Sequence, residues 1–295
     1  MRSSGANRCR FPPFSRRPVR LSTCPTSNSA DTYPLRFTLA DPSFAGHTGR
    51  DVVVAIVDSG IHDGHPHVGQ IAGGTSLIPV GDGVDLVDRL GHGTAVAAAI
   101  REKGPGVALV AVKVFDRQLA TTTDMLAQGI VWAADHGANI INLSLGTAND
   151  ARTDVLRAAV QHATSRGSIV VSAHESDGVR WLPGALNTVA GVLVDWSCGR
   201  DELLLVGTAD DVTRPLFRAS GYPRPIPGVP REKNLSGISF AVANVTGFLA
   251  RGIEARGWTS VSDIQRDLES VRPRTPVSTA TIPLPSESTT TPLST

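Results

Sequence analysis

A chain of 295 residues with 41% hydrophobic and 19% charged residues holds enough apolar material for an α/β core, as one large domain or two small ones. Its formal net charge of +1 removes any global electrostatic case for nucleic acid or an anionic membrane as partner. No apolar run approaches the roughly 18 residues that crossing a bilayer needs, which argues against a membrane protein.

Residues 1–35 read as a disordered basic arm. The first thirty hold Arg2, Arg8, Arg10, Arg16, Arg17 and Arg20, no acidic residue, and no apolar stretch of the kind a secretory signal carries. Organellar transit peptides share this composition, but Pro12, Pro13 and Pro18 oppose the amphipathic helix they need, so a disordered arm or a misassigned start codon is preferred. Residues 273–295 are Ser, Thr and Pro with almost no charge; they offer too little apolar surface to offset the entropy of ordering and read as a disordered tail. One folded domain, residues 36–272, is expected between them. Cys9, Cys24 and Cys198 are an odd number with two in the arm, so no disulfide framework is expected; a cytoplasmic setting is favoured, or a secreted one if the true start differs.

Inside the domain the hydrophobic period alternates. Residues 52–57 are a continuous apolar, β-branched run that suits a strand buried on both faces. Residues 93–100 are small and apolar and read as a buried helix, followed by a strand at 108–114. A helix is predicted at 123–136, with Thr and Asp at its start and Gly137 just past its end. Then come a strand at 140–143, a helix at 154–166 stopped by Gly167, and strands at 168–172, 188–194 and 203–207. Residues 239–251 form a further helix, and Ser260 with Asp263 resembles a capping box for a last one. Strands separated by helices imply right-handed crossovers and a mostly parallel sheet, whose functional groups gather at the carboxyl ends of strands.

Asp58 falls at one such end, in Val57-Asp58-Ser59-Gly60. His92 lies in Gly91-His92-Gly93-Thr94, and Ser239 in Gly237-Ile238-Ser239-Phe240-Ala241, each where a helix is predicted to begin. Acyl transfer needs a nucleophile, a base to take its proton and a group to orient that base, and Ser239, His92 and Asp58 supply these in turn. A helix start lets the Ser239 N–H and the positive helix end face a developing oxyanion. Singly, each residue has an ordinary reading: a helix cap, a loop histidine, a turn carboxylate. The order and the flanking residues together carry the assignment. An esterase of the α/β-hydrolase type is excluded, because Ser239 comes last and Phe240-Ala241 breaks the Gly-x-Ser-x-Gly elbow.

These blocks, with His65-Pro66 after the first and Ala95-Val96-Ala97 after the second, resemble those of the subtilisin-like (subtilase) serine peptidases over roughly residues 50–255. Ala111-Val112-Lys113-Val114 and the stretch from Asn139 to Gly146 match as well. The resemblance implies a three-layer α/β fold with a mostly parallel central sheet flanked by helices. It implies a serine endopeptidase acting through an Asp-His-Ser triad and an acyl-enzyme, with no cofactor and an extended peptide or protein as partner. It also implies that Ser144, Leu145 and Gly146 hold that peptide by strand pairing. A dedicated processing protease is the narrower form of this reading. A catalytically silent peptide-binding module is the alternative.

Departures from the family pattern at His174, Ile238 and Ala243 favour the alternative, while the intact triad argues against it. At the family's oxyanion asparagine this chain reads Ser172-Ala173-His174-Glu175, so His174 stands in the oxyanion position; an ordinary loop histidine is the other reading. Ile238 replaces the usual threonine and Ala243 the usual helix proline. The acidic calcium ligand expected after His65-Pro66 is His67, and residues 100–107 offer no Asn or Asp, so no calcium site is expected. His62, His65 and His67 are read as solvent-facing loop histidines rather than a metal site, and Asp82, Asp85 and Asp88 as a solvated acidic loop. About fifty residues precede the first core strand, so either there is no pro-domain or the arm is a short one. Residues 195–235 match the family poorly, and their Pro-rich part reads as the loop leading to Ser239.

Overall fold

The structure is a computed structural model describing residues 8–10, 34–79, 83–206 and 215–270. In chain order it forms β1 (Arg8–Arg10), β2 (Leu35–Thr38), β3 (Val53–Asp58), β4 (Gly74–Ser76), α1 (His92–Lys103), β5 (Ala108–Lys113), β6 (Ala120–Thr122), α2 (Thr123–Asp135) and β7 (Ile140–Leu143). There follow α3 (Thr153–Ser165), β8 (Ile169–Ser176), β9 (Val179–Arg180), β10 (Ala190–Val194), β11 (Glu202–Val206), β12 (Leu216–Ala219), α4 (Ile238–Arg256) and α5 (Val261–Ser270). The main sheet has the order β2-β11-β12-β10-β8-β7-β3-β5-β4, with β9 paired to β8. From β12 to β4 every pairing is parallel; β11 and β2 extend one edge antiparallel.

Side chains that alternate along a buried strand feed two separate cores. Val54 and Ile56 join the cluster built with α1, α4 and α5, while Ala55 and Val57 join the cluster built with α2 and α3. The sheet is therefore the middle of three layers, as the resemblance implied. Because β3, β5, β7 and β8 are parallel, their carboxyl ends share one edge of the sheet. Asp58 is the last residue of β3 and pairs in register with Lys113, the last of β5.

Most predicted elements recur with shifted ends. β8 runs through His174 to Ser176 instead of stopping at 172. The helix predicted to end at 251 continues to Arg256, where Gly257 at φ 66° provides the left-handed stop. Gly252 is no stop: a Cβ there would come within 1.8 Å of the Trp258 ring, so the glycine lets α4 pack on that indole. Within the stretch read as a disordered arm, residues 8–10 form β1, antiparallel to β6. The rest of residues 1–33, and the tail from 271, lie outside the described residues. No helix among the described residues is long and apolar enough to cross a membrane.

Candidate active site

Asp58 is fully buried and His92 is 3% exposed. The His92 Nδ1–H donates to both carboxylate oxygens of Asp58, at 2.9 and 3.0 Å. A carboxylate only accepts, so this contact puts the proton on Nδ1 and leaves Nε2 the basic nitrogen. The Ser59 N–H adds a 2.7 Å bond to Asp58 Oδ1. Gly93 permits the approach of α1 to this strand end: a Cβ there would lie 2.1 Å from the Gly60 carbonyl and 3.3 Å from Asp58.

Ser239 is the second residue of α4, 4% exposed, and its Oγ lies 3.4 Å from the Ser144 carbonyl oxygen. The link is reciprocal, since Ser144 Oγ lies 3.4 Å from the Ser239 carbonyl. Behind them Asn142 Nδ2 donates to Ser144 Oγ at 3.2 Å, and Thr246 Oγ1 donates to Asn142 Oδ1 at 2.9 Å. This buried chain fastens the serine-bearing helix to the end of β7. Sequence reasoning gave Asn142 and Thr246 no role. Leu145 is buried in the α2/α3 core, and Gly146 lies so close to Leu182 that a Cβ would be 2.5 Å from its carbonyl oxygen. Ser144 and Leu145 sit just past the β7 ladder.

His174 lies on β8 rather than in a turn after it. Ala173 and Glu175 oppose consecutive residues of β10, so His174 is the extra residue of a β-bulge, a device that re-aims a side chain. It is 8% exposed, and its Nδ1 lies 3.3 Å from the Gly184 carbonyl oxygen.

The acidic loop is not simply solvated. Asp85 pairs with Arg89 at 2.5 Å and with Lys113 at 3.4 Å, and the Arg89 hydrogen bond first of all holds its carboxyl down at about 2. Asp88 turns inward and accepts five hydrogen bonds, from Leu90 N, Gly91 N, Ser59 Oγ, Thr94 N and Thr94 Oγ1. Burial works to raise its pKa, but the bonds from Thr94, Ser59 and Leu90 outweigh it and hold the carboxyl below its ordinary value. Asp88 is not legible in the sequence, because a loop has no periodicity to show which side chains point in. Asp82 lies outside the described residues.

Among the described residues no group of His, Cys, Asp or Glu is arranged to hold a metal ion. His65 Nδ1 accepts the His67 N–H at 3.2 Å. The two stretches in which the family resemblance would imply calcium do not fit it. Arg101 spans them: Nε donates to Val68 O at 2.8 Å and Nη2 to Gln70 O at 3.2 Å, while Nη1 donates to Pro105 O at 3.2 Å and Val107 O at 2.5 Å. A guanidinium already meets the carbonyl oxygens that a hard cation would need.

Layers, strand order and motif placement define an α/β protein of the subtilisin-like type. The sequence profile of the subtilase family matches residues 49–210, a stretch that includes Asp58, His92, residues 144–146 and His174 and stops before Ser239. The chain belongs to the subtilase family. It is 33% identical over 218 residues to Subtilisin Savinase of Lederbergia lenta, covering 70% of this chain and 77% of that one. It is 30% identical over 237 residues to Thermitase of Thermoactinomyces vulgaris, covering 75% and 81%. Against M-protease of Shouchella clausii, at 33% identity, the match takes 70% of this chain but only 54% of the relative, so the chain spans about half of that protein. Among solved structures the fold is shared with the nisin leader peptidase NisP from Lactococcus lactis, at TM-score 0.58 and 22% identity over 75% of this chain and 82% of that one. It is shared too with fervidolysin from Fervidobacterium pennivorans, at TM-score 0.51 and 23% identity over 70% and 37%.

Proposed function

We propose that the chain is a serine endopeptidase in which Ser239 is the nucleophile, His92 the general base and acid, and Asp58 the group that orients His92. The observation that carries this is the buried Asp58–His92 pair with both contacts near 3 Å, in a chain of the subtilase family. An extended peptide would lie along residues 144–146, held by backbone pairing. Ser239 Oγ attacks the scissile carbonyl while His92 Nε2 takes its proton, and Asp58 stabilises the imidazolium that forms. The oxyanion faces the Ser239 N–H and the positive end of α4. His92 then returns the proton to the leaving amine, and water repeats the sequence on the acyl-enzyme.

His174, in its imidazolium form, is the second oxyanion group in this reading. Cleavage of a leader or precursor segment is its narrower form, supported by the shared fold with a leader peptidase. The catalytically silent peptide-binding module is favoured by one observation, the engagement of the His174 ring with Gly184.

Labelling of the purified protein by a fluorophosphonate probe tests the proposal. Labelling is expected in the parent and lost in Ser239→Ala, with His92→Ala slower by about 10⁴-fold or more. A folded parent that stays unlabelled across about pH 6–9 would favour the silent module.

A further inference from the structure

The N-cap of α1 is Gly91, in a left-handed conformation and without a side chain to bond the open N–H groups of the first turn. Two residues from outside the helix serve them instead. Asp88 Oδ2 accepts the Thr94 N–H at 2.8 Å and the Thr94 hydroxyl at 2.7 Å; Ser59 Oγ accepts the Gly93 N–H at 3.1 Å. Ser59 Oγ also lies 2.8 Å from Asp88 Oδ1 and 3.1 Å from Asp58 Oδ1, so one hydroxyl proton stands between two carboxylates. The shorter contact goes to Asp88.

We propose that Asp88 is a positioning residue for the reaction, holding the His92 end of α1 against β3 and drawing the Ser59 proton away from Asp58. This rests on the serine-peptidase reading above. With its proton on Asp88, Ser59 turns a lone pair toward Asp58, and the undiluted Asp58 charge faces the His92 imidazole. Asp88 is itself anchored through its loop: Lys113, at the end of β5, donates to the Val87 carbonyl at 2.7 Å. The other charged groups here are Asp85, on the loop, and Asp116, after β5; Arg89 and Lys113 pair with both. From α4 the imidazole meets the Phe240 ring, which does not titrate.

Removing the Asp88 charge and returning the Ser59 proton to Asp58 both disfavour the His92 imidazolium, so both lower the pH at which Nε2 becomes a base. The test is the rate of fluorophosphonate labelling against pH for the parent, Asp88→Asn and Ser59→Ala, with melting temperature read in parallel. In Asp88→Asn the plateau rate is expected to fall about tenfold and the acid limb to move down by about half to one pH unit. Ser59→Ala keeps the Asp88 charge and the Asp88–Thr94 bonds but removes the lone pair that favours the nearby imidazolium, so it is expected to shift the limb the same way by less, which carries the test if Asp88→Asn does not fold. Limbs that stay put while melting temperature drops would show that Asp88 only caps a helix and would overturn the proposal. A parent that does not label overturns the peptidase reading together with this one, whereas a labelled parent with unmoved variant limbs overturns this one alone.

Discussion

The Gly184 carbonyl can only accept a hydrogen bond, so its 3.3 Å contact puts the proton of a neutral His174 ring on Nδ1. Nε2 then carries a lone pair, which repels an oxyanion, and becomes a donor only when the ring takes a second proton. Protonation at Nδ1 gives His92 its basic Nε2; the same tautomer leaves His174 unable to donate from Nε2. His174→Asn would supply an amide N–H at every pH, and one such donor is worth up to about 10²–10³ in turnover. Labelling rates of parent and His174→Asn should differ most in neutral and alkaline solution, the gap closing as the imidazolium forms. A ratio near one throughout, with His174→Ala equally reactive, would remove His174 from the oxyanion site. At this scale the sequence displayed Asp58, His92 and Ser239 because each sits in a short block with its own glycines. It concealed Asn142 and Thr246, whose bond joins residues 104 positions apart, and Asp88, whose partners are backbone N–H groups and two hydroxyls rather than an opposite charge.

At the scale of elements, α1 is fixed at both ends by side-chain bonds between the helix and segments outside it, from Asp88 and Ser59 at its start and from Arg101 near its end. At its far end Arg101 gathers carbonyls from two loops, a task for which oxygen ligands around a divalent cation are the common alternative. Arg101→Ala should therefore lower stability by about 1.5–3 kcal/mol, the scale of hydrogen bonds to a charged group. The parent melting temperature should not respond to EDTA or to added calcium; a calcium-dependent rise would contradict this account. Long elements were legible because buried strands and helices impose a period on the chain, whereas β2 and β12, of four residues each, gave no such signal and were not predicted. β4, β6 and β9 have three, three and two residues, too few to show an alternation. β8 was cut short in the reading because its bulge at His174 interrupts the pattern that marked its first half.

For the whole molecule, Glu254 near the end of α4 fastens the chain just before β3. Its carboxylate accepts the N–H groups of Thr48, Gly49 and Arg50 at 2.6, 2.7 and 3.0 Å. Burial works to raise its pKa, but these bonds and the Arg50 side chain bring it from 4.5 down to about 2. A carboxyl depressed on folding stabilises the native state fully above its ordinary pKa and loses that contribution as pH falls toward the folded value. Acid unfolding should thus steepen between 4.5 and about 2, and Glu254→Gln should be less stable at neutral pH yet flatter across that window. Equal slopes in a urea series would refute the assignment. The order of the triad along the chain has a consequence for biosynthesis. Asp58 and His92 leave the ribosome early, but Ser239 follows β12, and α4 must then dock across β7, β8, β10 and α1. A growing chain thus carries an imidazole–carboxylate pair with no nucleophile, and on the proposed mechanism it cannot cut itself or its neighbours before the final helices are in place.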